Sequence, residues 1–240
     1  MSRQRQLAHA PLREALIDIQ LTRPLDVSFA EGLANRIIPG YERKNEIRQF
    51  SMNISVANPT TSGSTEELMG WRFESADGAR IVQIRRNGIG YSIVKEYTEW
   101  ADIKSATHQV WDLYQQWAGE ISVNRIAVRY INVLDLPIGT DLNVYFTTAP
   151  QVPVGLPQTL AYFLQRIIVP FDPGISAIIT QTTEPSVLPT TRVILDIDVF
   201  AQRVFDGNSL ELWAFFDRLR EVKNAVFFSS VTERALEAYQ

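Results

Sequence analysis

Five pairs of polar side chains occupy alternating positions in otherwise apolar segments: Asp18 and Gln20, Arg72 and Glu74, Gln83 and Arg85, Arg125 and Arg129, and Asp196 and Asp198. Alternate residues of a strand share one face, so strands that curl together would bring these groups into one place. There, arginine forks suit a phosphate, and carboxylate oxygens suit a divalent cation. The competing account is a wet sheet face laced with cross-strand ion pairs, each of small energetic weight.

Arg125 and Arg129 are four residues apart, on the same strand face and about 13 Å from each other. With Arg85 and Gln83 they form the candidate ligand-binding set. A purely structural role is also open to Arg129, paired with Asp196 or Asp18 on a neighbouring strand. Asp196 and Asp198 point the same way about 7 Å apart, and with Asp18 they form the candidate metal set. That arrangement belongs to a metal-dependent enzyme acting on a nucleotide or other phosphate compound, and Mg²⁺ enters only under that reading. Triphosphate-processing tunnel enzymes use charged strand faces in this way but open on a Glu-x-Glu-x-Lys strand. Here the corresponding run is Glu14-Ala15-Leu16-Ile17-Asp18. The expectation is therefore a non-catalytic interaction or ligand-binding protein without a cofactor, whose two aspartates stay on a solvated face.

Other chemistries lack their residues. The 240-residue chain contains no cysteine, which removes disulfides, thiol nucleophiles and thiolate metal sites. It has two histidines, His9 and His108, and His108 falls on the polar side of a helical stripe. No Gly-x-Ser-x-Gly turn accompanies them. Gly88 and Gly90 lack the third glycine of a dinucleotide loop and read as a bend. A net charge of -4 gives no basic field for nucleic acid. No apolar run reaches the ~18 residues of a membrane span. Arg3 and Arg5 lead into Pro11 without a signal-type apolar segment, so a cytoplasmic protein is expected.

Period-2 alternation marks a strand over 14–21, and further strands are expected over 48–56, 67–75 and 80–94, with a loop at 58–64. Helical spacing of Phe29, Leu33, Ile37 and Ile38 follows Ser28, whose partner Glu31 suggests a capping box. A wide apolar stripe predicts a helix over 100–118, closed by Gly119. Then come a central strand over 125–134, a helix over 156–169, strands over 176–182 and 192–200, and an aromatic helix over 209–228. A short helix capped by Ser230 and Glu233 ends the chain.

The order predicts an α+β fold: pseudo-duplicated strand-helix-strand-strand-helix units (about 11–119 and 124–240) in one domain, 1–240. They should form a mainly antiparallel sheet with helices packed on one side. Trp213 and Phe216, widened by Leu212 and Phe215, give the last long helix more apolar surface than one sheet contact needs. A protein partner is expected, with self-association through this C-terminal aromatic helix.

Several short runs in order resemble a sporadically distributed family of uncharacterised bacterial and archaeal proteins of similar length. They are Pro11-Leu12 with Glu14-Ala15, Trp71 and Phe73 with Ser75, Asp77 and Gly78, Val82-Gln83-Ile84, Asn87-Gly88, and Tyr97 with Trp100. Arg125 with Arg129-Tyr130-Ile131-Asn132 and the helical tail complete the set. The resemblance implies no activity. Its patchy, mobile distribution implies a component of a bacterial defence or conflict system.

Overall fold

β-branched and aromatic residues at period 2 build most of this chain. The computed structural model describes residues 7–54, 62–95, 97, 99–158, 160–172, 174–185 and 189–240. Among them the elements are β1 (Leu12–Leu21), α1 (Val27–Gly32), β2 (Arg43–Ile54), β3 (Ser62–Glu74), β4 (Arg80–Arg85), β5 (Gly88–Ile93) and α2 (Trp100–Ala118). After these follow β6 (Ser122–Pro137), β7 (Leu164–Pro170), β8 (Ile175–Glu184), β9 (Thr190–Asp206), α3 (Leu210–Ser230) and α4 (Glu233–Leu236). The strands are hydrogen-bonded in the order β2-β3-β4-β5-β1-β6-β9-β8-β7. β2 with β3, β3 with β4, β4 with β5, β7 with β8 and β8 with β9 all run antiparallel, so the sheet is mainly antiparallel and the class is α+β. No described helix is long and apolar enough to cross a membrane.

The chain forms two compact units. The first comprises Leu16–Ile126 with Arg203–Ser209, and the second Ala127–Gln202 and Leu210–Gln240 with the chain up to Ala15.

In the first unit Ile17, Ile19, Val82, Ile84, Ile89 and Tyr91 make an apolar sheet face, buried beneath Ile103, Val110, Trp111 and Tyr114 of α2. Each such side chain taken out of water contributes roughly 1.5–3 kcal/mol. The polar tips are satisfied: Trp111 Nε1 donates to Gly207 O at 2.9 Å and Tyr114 OH to Arg85 O at 3.0 Å. The Phe29 ring of α1 meets Tyr114 edge-on at 5.3 Å, so the two helices lie on the same side. Lys44 Nζ fastens the turn that follows α1, donating to Leu33 O and Ala34 O at 2.6 and 2.8 Å while lying 4.6 Å from the Trp71 ring centroid. At Gly88, φ is +134° and an added Cβ would stand 1.9 Å from Ile19 O. β5 can approach β1 there only without a side chain.

In the second unit Val193, Leu195, Ile197 and Val199 of β9 are fully buried, as are Leu212, Phe216 and Leu219 of α3. The end of α3 is followed by Thr232, whose hydroxyl accepts from Ala235 N and caps α4.

Most expected elements occur, with four corrections. Residues 156–169 are not helical: β7 occupies Leu164–Pro170, because Ile167, Ile168 and Val169 are stiff at χ1 and suit a pleated strand, with Pro170 ending it. The 80–94 segment is a hairpin of two strands and not one. Asp26, and not Ser28, caps α1 by accepting from Ser28 N, and Thr232 caps α4 where Ser230 was expected. α1 stops at Gly32, followed by a 3-10 turn, Leu33–Asn35, that leaves Ile37 exposed. Residues 58–61 of the loop expected at 58–64, and 55–56 of the strand expected over 48–56, lie outside the described residues, and Ser62–Ser64 belong to β3. Without the 156–169 helix, the element orders of 11–119 and 124–240 differ, and element order alone does not establish a duplication.

Candidate functional site

Alternation along β1, β4 and β6 places Asp18, Gln83, Arg85 and Arg125 on the sheet face opposite the helices of the first unit. There they meet. Arg85 Nη2 donates to Asp18 Oδ2, and Arg125 Nη1 stands 3.5 Å from Asp18 Oδ1. Gln20 Nε2 donates to the same Oδ1 at 2.9 Å, and Arg85 also reaches Gln83 Oε1 at 3.3 Å and Ile89 O at 3.1 Å. Gly90 leaves space beside them, since a Cβ there would sit 3.7 Å from Asp18 Oδ2. Asp18 is 7% exposed. A carboxylate so buried needs its charge matched, and these contacts supply the match.

In the second unit Arg129 Nε and Nη2 form a fork on Asp196, at 2.8 and 2.6 Å. The pairing expected of Arg129 is present, although its side chain is 45% exposed and not deeply buried. The Asp196 hydrogen bonds raise the Arg129 pKa above its usual value, opposed by partial burial and aided by the charges of Asp196, Asp198 and Glu14. Half-buried Asp198 faces Ile178 across the β8–β9 ladder.

The expected ligand set therefore divides: Arg125, Arg85 and Gln83 gather on Asp18 in the first unit, whereas Arg129 engages Asp196 in the second. Of the expected metal set, Asp18 and Asp196 both lie in arginine ion pairs, which occupy oxygens a cation would need. Among the described residues no group of three or more His, Asp or Glu side chains is arranged to hold a metal ion. His108 is about half exposed and pairs with Asp112 at 3.2 Å.

The Arg129-Tyr130-Ile131-Asn132 run has a packing role at three positions. Besides the Arg129 fork, buried Asn132 donates from Nδ2 to Leu195 O at 3.1 Å. Lys223 Nζ of α3 lies 3.7 Å from the Tyr130 ring centroid. Burial, with a smaller contribution from the neighbouring charge of Arg220, pushes the Lys223 ammonium down to about 7.

The apolar face expected to be available on α3 is covered: Leu212 and Phe216 are fully buried, Trp213 is 8% exposed, and Phe215 is half-buried. Exposed apolar surface gathers elsewhere. Of the fifteen large hydrophobic residues that stand exposed among the described residues, eight fall between Val154 and Phe171: Val154, Leu156, Leu160, Tyr162, Leu164, Ile167, Ile168 and Phe171. Arg166 is the single charged residue in that stretch. β7 is the last strand of the sheet, so one edge of its backbone has no strand partner among the described residues. The helix expected over 156–169 does not predict this surface. The available signal was the β-branched run Ile167-Ile168-Val169, apolar on both faces.

Comparison with protein-family models, with curated proteins and with solved structures gives no match.

Proposed function

We propose that this chain is a non-catalytic interaction protein that pairs with a second copy of itself through the β7 edge and the apolar stretch leading into it. The observation that carries the reading is the concentration of exposed apolar residues between Val154 and Phe171 around an edge strand. Proteins usually blunt such edges with charge, proline or a covering element, and a surface left apolar and extended is a template for another strand. A second copy is favoured because the stretch holds one charge, so two identical patches meet almost without repulsion. Antiparallel pairing of β7 with its twin would also satisfy both open edges at once. Covering eight partly exposed side chains on each copy, at roughly 1 kcal/mol each, exceeds the lower part of the ~4–15 kcal/mol cost of association. Sedimentation of the purified chain at several concentrations, with Ile168→Lys as the disrupting variant, tests this.

The family resemblance extends the proposal to an assembly acting within a multi-gene bacterial defence or conflict system, which the neighbouring genes would test. We also read the halves as descendants of one duplicated unit. In each, the first strand neighbours the last strand of its meander, β1 beside β5 and β6 beside β9, and a long helix follows. Under this reading the Asp18 and Asp196 ion pairs fix strand register rather than bind a ligand.

A further inference from the structure

A cavity of about 250 Å³ opens in the second unit between α3 and the β7–β8 ladder. Its apolar lining comes from Ile167, Val169, Phe171, Ile179, Ala225 and Val226. All twelve lining residues are uncharged. Two of its hydroxyls are already engaged: Thr147 Oγ1 donates to Ser229 O and Ser230 Oγ to Val226 O, both at 2.7 Å.

Two glutamines differ from this background. Gln165 of β7 and Gln181 of β8 are directly opposite in the antiparallel register, so their side chains stand together on the cavity face. Gln181 is only 4% exposed. Gln165 is half-buried, and both side chains line the cavity. A side-chain amide that lines a cavity can present its carbonyl and its NH₂ group to a bound molecule. A neighbouring pair on the cavity wall thus offers a donor and an acceptor side by side.

We infer that this cavity binds a small neutral molecule with an apolar body and one amide-like edge, such as a primary amide or lactam. A primary amide offers a carbonyl acceptor and N–H donors side by side, the complement of what two glutamine amides present. A carboxylate or ammonium would enter without a counter-charge, since the lining has none, and would lose its hydration uncompensated. The apolar walls supply affinity and the glutamine pair orients the ligand. This site is separate from the ion pairs around Asp18 and Asp196, and it goes beyond the self-association proposed for the β7 edge.

The test is a ¹H–¹⁵N NMR titration of the full chain with three probes of equal chain length: hexanamide, hexanoate and hexylamine. Hexanamide is expected to give saturable shifts centred on Gln165, Gln181, Ile179 and Val226, with an affinity at least about tenfold above the two charged probes. Gln181→Met, close in volume, should keep a dispersed spectrum and lose about tenfold in hexanamide affinity. If that variant loses dispersion, Gln165→Met on the edge strand makes the same test and should show the same loss. No saturable shift up to tens of millimolar, equal binding of hexanoate, or undiminished hexanamide affinity in a folded glutamine variant would each overturn the inference.

Discussion

Lys223 Nζ lies 3.7 Å from the Tyr130 ring centroid, beneath α3, with its side chain almost wholly out of water. The ring face offers the ammonium some attraction, worth up to about 2 kcal/mol when desolvated. Asn224 Oδ1 accepts a hydrogen bond from it. Burial still dominates and lowers the lysine from its ordinary 10.5 to about 7.

This shift gives stability a pH dependence with a definite sign. Below pH 7 both the folded and unfolded chains hold the proton, and the burial penalty is present in full. Between about pH 7 and 10.5 the unfolded chain binds more protons, so this group makes stability rise with pH. Lys223→Met should therefore be more stable than the parent by about 2–5 kcal/mol at pH 6.5, and the gain should shrink by pH 9.5. Urea denaturation of both proteins at the two pH values checks it. Taking the difference cancels the opposing effect of Tyr114, whose hydroxyl burial raises its pKa. A constant difference would show that the lysine keeps its ordinary titration.

The two arginine–aspartate groups should differ in energetic weight. Asp18 is buried between Arg85 and Arg125, so Asp18→Ala strands guanidinium charge in a site of low exposure and should cost roughly 3 kcal/mol. Arg129 is 45% exposed, and Arg129→Ala should cost about 1 kcal/mol or less. Thermal denaturation of both variants decides the order. Equal costs would mean that Asp18 is less enclosed than its contacts indicate.

Gly88 and Gly90 lie two residues apart with opposite tolerance. A Cβ at Gly88 collides with the Ile19 carbonyl at 1.9 Å, whereas one at Gly90 meets its nearest atom at 3.7 Å. Gly88→Ala should destabilise by several kcal/mol or prevent folding, and Gly90→Ala should stay within about 1 kcal/mol of the parent. Similar melting of the two variants would place the β1–β5 approach elsewhere.

Much of this architecture was readable in the sequence, because period-2 and period-3.6 patterning record which face is buried. α2, with its Gly119 stop, was expected at its observed bounds, and the strands around Asp18, Arg125 and Asp196 were expected close to theirs. Pairing between charged residues on those strands followed from the same alternation. β7 escaped because its residues are apolar on both sides, so neither periodicity is visible, and a 14-residue run favours a helix by length. The aromatic stripe of α3 was visible, but whether a sheet covers it is a tertiary fact. The cavity was hidden for the same reason: Gln165 and Gln181 are sixteen positions apart, and only the β7–β8 register makes them neighbours.

The account rests most on the edge strand. Sedimentation equilibrium of the purified chain from about 1 to 100 µM should show a reversible monomer–dimer transition, and Ile168→Lys should remain monomeric across that range with an unchanged far-UV spectrum. Ile168 is 63% exposed, so a lysine there disturbs no core packing and acts on association alone. A parent chain that stays monomeric at every concentration, or a folded Ile168→Lys variant that dimerises as the parent does, would contradict pairing through β7.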